Sequence, residues 1–147
     1  MPKKIILALL LACGTAQAAE WVSINTSDNG KTENFVDLSS IRIPGQVRWV
    51  WIKAVYAPHT YRGEAEAHAK SKWLSDEVQR FAFNCADETV RMEALTVHYT
   101  DGSLDVHYTD GSLDLVPAEQ FPTSWSPVEP DTVRSVQMQF ICPWKPK

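Results

Sequence analysis

Residues 78–99 read VQRFAFNCADETVRMEALTVHY, two strand-length runs joined through the polar turn Ala86-Asp87-Glu88. Gln79, Phe81, Phe83 and Cys85 alternate with Arg80, Ala82 and Asn84, the period-two pattern of a strand with one buried face. Thr89 to Tyr99 follows as a second strand of the same sheet. What this pair is tied to depends on the three cysteines, Cys13, Cys85 and Cys142, and on the compartment they occupy.

The N-terminus addresses the compartment. Lys3 and Lys4 precede an apolar run from Ile5 to Ala12, and Ala16-Gln17-Ala18 supplies the small-x-small pattern of a secretory cleavage site. The run is too short to span a bilayer, and no second segment reaches membrane length. Residues 1–18 are therefore expected to be a cleaved signal peptide and 19–147 a single domain, exported to the periplasm or the outer cell surface. A rival reading makes Cys13 a lipid-attachment site, because Leu10-Leu11-Ala12-Cys13 loosely follows a lipobox; only then would a membrane be a partner. Cleavage leaves two cysteines in an oxidising compartment, where an even pair reads as a disulfide, Cys85 to Cys142. Closing so long a loop is worth about 4 kcal/mol in the chain-entropy model. A redox pair or a thiol nucleophile is disfavoured, since there is no Cys-x-x-Cys and no evident partner histidine.

The formal net charge is −4 and there is no block of Lys or Arg, so nothing points to nucleic acid. Gly-x-Ser-x-Gly, phosphate-loop and dinucleotide fingerprints are absent, and no carboxylate pair sits in an apolar setting. The expectation is a protein that is not an enzyme and uses no cofactor.

Upstream, Trp21 to Asn25 and Glu33 to Asp37 flank a turn containing Asn29-Gly30, with Ile24 expected opposite Phe35. Asn25, Ser27, Asn29 and Gly30 have a faint likeness to a calcium loop, but the twelfth position is Val36 where such a loop needs Glu, so the stretch is read as a turn. After Pro44-Gly45, Val47 to Tyr56 is a strand with Trp49, Trp51 and Val55 on one face and Val50, Ile52 and Ala54 on the other, which suits a central position. Trp49 and Trp51 suit either core packing or an aromatic interface patch. With the basic residues beside them, Arg48, Trp49, Trp51 and Lys53 are the candidate protein-binding set. Residues 57–76 are read as a surface excursion with a short helix, from i,i+4 pairs such as Glu64 with His68 and Glu66 with Lys70.

Val97 to Asp105 is repeated without change from Val106 to Asp114. Two tandem hairpins turning at Asp101-Gly102 and Asp110-Gly111 are expected, pairing Tyr99 with Leu104 and Val97 with Val106. That register sets His98 opposite Asp105 and His107 opposite Asp114. His98 and His107, the weak candidates for a metal, are then diagonal to each other, so no metal site is expected. The Pro-rich segment 117–130 carries the chain back. Val133, Val136, Phe140 and Ile141 fall at helical spacing, with Pro130 and Asp131 suited to the first turn; alternation of Val136, Met138 and Phe140 leaves a strand as the rival.

Taken together, Trp21-Val22, Phe35-x-Asp37, Ser40-Ile41-Arg42, Trp51 in its strand, Asn84-Cys85-Ala86 followed by Arg91, the Tyr-x-Asp-Gly turns, Trp125-x-Pro127-Val128-x-Pro130 and Cys142 resemble the surface-adhesin protein E family. The resemblance covers nearly the whole of 19–147. It implies a small exported Gram-negative bacterial protein of α+β class: one antiparallel sheet of about six strands with a C-terminal helix tied to it by the cysteine pair. It also implies a protein ligand, a host extracellular-matrix or plasma protein such as vitronectin, laminin or plasminogen. The sequence departs from the family at Asn84, where Asp commonly precedes the cysteine, in the inserted stretch from Glu64 to Leu74, and in the tandem repeat. The alternative reading is a periplasmic structural or assembly protein without a host ligand, homodimeric through the Trp-bearing face.

Overall fold

The computed structural model describes residues 18–60, 73–108 and 124–145. The chain forms an antiparallel meander in which β1 (Trp21–Ser27), β2 (Thr32–Asp37), β3 (Val47–Tyr56), β4 (Leu74–Asn84), β5 (Thr89–Tyr99) and β6 (Leu104–Tyr108) lie side by side in sequence order. A two-residue strand, β7 (Ser126–Pro127), pairs with Thr89 and Val90 on the part of the β5 edge that β6 leaves open. One helix, α1 (Val133–Ile141), follows. From β1 to β6 each strand pairs with the next in sequence, and β7 returns to β5 from far along the chain.

The turn at Asn29-Gly30 forms because both residues take positive φ, 57° and 83°, which Asn and Gly tolerate at least cost. The register differs from expectation by a bulge: Ser23, not Ile24, stands opposite Phe35, and pairing resumes at Asn25 with Asn34. The extra residue lets Ile24 pack against the core. β4 begins at Leu74, four residues earlier than the alternation from Val78 indicated. Ser75, Asp76 and Glu77 are poor strand formers, but β3 is ten residues long and pairs Ala54 with Glu77 and Val55 with Asp76, so tertiary pairing overrides propensity. The helix expected between residues 57 and 76 falls mainly on 61–72, outside the described residues.

The repeat forms its first hairpin one residue out of the expected register. Tyr99 N–H donates to Ser103 O (3.0 Å), so Thr100, Asp101 and Gly102 make a three-residue loop, with Gly102 at φ 85°. His98 therefore faces Leu104 and Val97 faces Asp105, in place of the predicted His98–Asp105 and Val97–Val106 pairs. A shift of one residue exchanges the faces of a strand. His98 pairs instead with Asp76 on β4, Nδ1 to Oδ1 at 2.7 Å. The second hairpin, at Asp110-Gly111, lies outside the described residues.

One face of the sheet carries the core. Val36, Val50, Ile52, Phe81, Phe83, Leu95 and Val97 are each no more than 1% exposed, and Met138 and Ile141 of α1 join the same cluster. The end is a helix and not the rival strand. Its N-cap is Thr132, whose Oγ1 accepts from Ser135 N while Thr132 N donates to Ser135 Oγ, both at 3.2 Å. Pro130 and Asp131 therefore precede the helix instead of forming its first turn, and Asp131 has φ 58°. The disulfide between Cys85, just past β4, and Cys142, just past α1, sets the helix phase. Arg134, Met138 and Ile141 share the tethered side, while Val136 and Phe140, expected to be buried, are 38% and 37% exposed. A nine-residue helix is marginal by itself, so its docking relies on this bond and the contacts beneath it.

Removing the disulfide by Cys85→Ala with Cys142→Ala is expected to lower unfolding free energy by about 4 kcal/mol, measured by urea denaturation against the oxidised parent. Phe81→Ala, which empties the floor under α1, is expected to cost about 3–5 kcal/mol in the same assay.

Candidate protein-binding face

The other sheet face has no helix on it among the described residues, and its side chains are not those of a plain solvated surface. Strand alternation on β3 puts Trp49, Trp51, Lys53 and Val55 on this face, opposite Val50, Ile52 and Ala54 in the core. The candidate set is therefore divided. Trp49, Trp51 and Lys53 stand together, whereas Arg48 alternates to the helix side, where its Nη1 donates to the carbonyls of Gly45 (3.1 Å) and Val47 (3.3 Å).

Cross-strand register supplies the rest. Lys53 is opposite Phe35, Trp51 is opposite Arg80, and Ala82 lies between Trp49 and Arg91. Each cation sits on an aromatic ring. Lys53 Nζ is 4.6 Å from the Trp21 ring centre and 5.3 Å from that of Phe35. Arg80 lies 5.7 Å from Trp49, and Arg91 lies 4.9 Å from Trp125. Contacts of this kind contribute roughly 0.5–1 kcal/mol each at exposed sites. They also hold three long side chains flat along the sheet.

A single carboxylate joins two of the cations. Glu93 receives Arg80 Nε at 3.4 Å through Oε2 and Arg91 Nη2 at 2.9 Å through Oε1. The result is an amphipathic surface of indole, phenyl and guanidinium groups, half-buried yet reachable; Trp125 is 40% exposed. Two polar atoms within it, Trp49 Nε1 and Arg91 Nε, are buried without a hydrogen-bond partner. Aromatic residues and arginine set beside one another in this way are the side chains that dominate protein–protein binding energy.

Sequence reasoning reached Trp49, Trp51 and Lys53 but missed Trp21, Phe35, Arg80, Arg91 and Trp125 as members of the same face. Arg80 had a readable signal, since inward Gln79 and Phe81 force it outward. Trp125 had none: it arrives only because β7 pairs with the start of β5, a contact spanning more than thirty residues of sequence. Among the described residues, no group of three or more His, Cys, Asp and Glu side chains is placed to hold a metal. His98 is engaged with Asp76, and the register puts His107 opposite Leu95. No helix among the described residues is long and apolar enough to cross a membrane.

Comparison with known proteins agrees with this architecture. The family model described as surface-adhesin protein E matches residues 21–143. Among solved structures, Haemophilus influenzae protein E is similar with a TM-score of 0.51 at 14% sequence identity, over 82% of this chain and 87% of that one. At that identity the likeness is one of fold. The search of curated proteins gave no match.

Glu93→Gln, which releases both arginines from their shared carboxylate, is expected to reduce stability by no more than about 1 kcal/mol, because the pairs are partly exposed. Urea denaturation at low and high salt checks this. A loss well above that figure would show that Glu93 holds the sheet together and does not merely order its surface.

Proposed function

Because the chain belongs to the surface-adhesin protein E family, we propose that it is an exported, non-enzymatic protein-binding module that engages its ligand through the open sheet face. The observation that carries this reading is the ladder of stacked cations and aromatic rings from Trp21 to Trp125 on the side of the sheet away from the helix. Such a face desolvates readily at its rings and keeps guanidinium groups in position for carboxylates or backbone carbonyls of a partner. The family resemblance gives the ligand class: a host matrix or plasma protein such as vitronectin, laminin or plasminogen. In this reading residues 1–18 are removed on export and Cys13 leaves with them.

The experiment uses the oxidised chain from Ala19 onward, immobilised vitronectin and laminin, and surface protease treatment of intact cells beside a periplasmic control protein. Expected outcomes are saturable binding, digestion of the protein with the control spared, and at least tenfold weaker binding for Trp51→Ala and Arg80→Ala. Phe140→Ala, on the outer side of α1, should leave binding unchanged. Protection of the protein inside the envelope together with no binding to either ligand would overturn the proposal.

A further inference from the structure

The helix side of the sheet is apolar at one end only. Toward the turn end of the β1–β2 hairpin, positions that would ordinarily be filled by Val or Ile carry Thr32, Asn34, Glu77 and Gln79, all buried, and Gln137 of α1 is 1% exposed. They lie around Arg134. Its Nη1 donates to Gln137 Oε1 (2.6 Å), its Nη2 donates to Gln79 Oε1 (3.2 Å), and its guanidinium lies 3.8 Å from the Phe81 ring centre. Gln79 Nε2 in turn donates to Glu77 Oε2 at 2.7 Å. Burial pushes the Arg134 pKa down to about 10, against the opposing pull of Glu77 and Tyr56. The cation is thus less well compensated here than water would leave it.

Above this network lies a cleft of about 300 Å³ between the start of α1 and the sheet, a size at the lower limit for small-molecule sites. Ser27, Thr32, Asn34, Tyr56 and Gln79 line it together with Arg134, and no described lining residue is acidic. Glu77 balances the guanidinium from the protein side and does not line the cleft. The first turn of α1, which also borders it, carries no acidic residue, so the positive end of the helix adds to the same field. A guanidinium offers five N–H donors in a fork suited to a carboxylate, and the two glutamine carbonyls take two. Buried hydroxyls and amides in place of aliphatic side chains weaken a core. Gathered at a concave opening they suit hydroxyl-bearing ligands.

We propose that this cleft binds a small hydroxylated carboxylate, a sugar acid in chemical class, with Arg134 facing the carboxylate and the Ser27 and Asn34 side chains, which meet at 3.4 Å as Asn34 Nδ2 donates to Ser27 Oγ, facing its hydroxyls. The site is on the opposite side of the sheet from the protein-binding face and stands independently of it.

The test is a backbone amide NMR titration of the oxidised chain from Ala19 onward with sodium glucuronate, using glucose and acetate as partial probes. Saturable shifts confined to residues around the cleft are expected from glucuronate, half-complete near about 1 mM, with much weaker effects from glucose and from acetate. Arg134→Gln should weaken binding at least tenfold. Should that variant fail to fold, Asn34→Leu decides, since it removes the amide from the cleft at nearly the same shape and leaves Arg134 in place; it too should weaken the shifts severalfold. A hyaluronan tetrasaccharide that shifts the same amides would identify the source as a glycan, and shifts from the monosaccharide alone would identify a free acid. Absence of saturable shifts, shifts elsewhere, or undiminished shifts in the folded Asn34→Leu protein would overturn the proposal.

Discussion

The bond between Cys85 and Cys142 is the constraint on which the rest of this structure depends. A meander of six strands buries little unless something covers one of its faces, and here the cover is a helix of nine residues at the far end of the chain. Such a helix has neither the length nor the propensity to persist alone. Tying its C-terminal end to the end of β4 places Met138 and Ile141 over the Val50, Phe81 and Phe83 floor, and fixes which side of the helix points inward. The choice of covered face follows from that bond, and so does the availability of the other.

Two surfaces of different chemistry result from this one-sided cover. On the open face, aromatic rings and cations interleave because cross-strand register brings Lys53 to Phe35 and Trp51 to Arg80. Under the N-terminal end of the helix, where the apolar floor gives out, buried amides and hydroxyls converge on Arg134. The first is broad and suited to a macromolecule; the second is small, concave and polar. Their separation by the thickness of the sheet allows either to be altered without disturbing the other.

Much of the scaffold was legible because it is local. Alternation in residues 78–99 marked the central strands, Asn29-Gly30 marked the first turn, and the cysteine pair indicated which distant parts meet. What could not be read had non-local causes. The bulge at Ile24, the early start of β4 at Leu74 and the one-residue change of register after Tyr99 are settled by pairing with neighbours and by loop geometry, not by the residues' own preferences. The inward side of α1 was misjudged because Val136 and Phe140 are apolar, yet the tether at Cys142 turns Gln137 and Met138 to the sheet instead. The binding face was read in part from β3 alone, since alternation reveals one strand's share of a surface and not which residues of other strands complete it. Arg48 was grouped with Trp49 because the two are adjacent in sequence, although alternation along β3 puts it on the helix side. Arg134 and its polar neighbours escaped notice because they come from five separate elements.

Hydroxyl-radical footprinting of the oxidised protein, read residue by residue by mass spectrometry, tests most directly whether the helix covers one face and leaves the other open. The account predicts that Trp21, Trp51 and Trp125 are modified readily while Phe81, Phe83 and Met92 are protected, and that reduction of the disulfide abolishes the protection under the helix. Equal modification of the two sets in the oxidised protein, or unchanged protection after reduction, would contradict it.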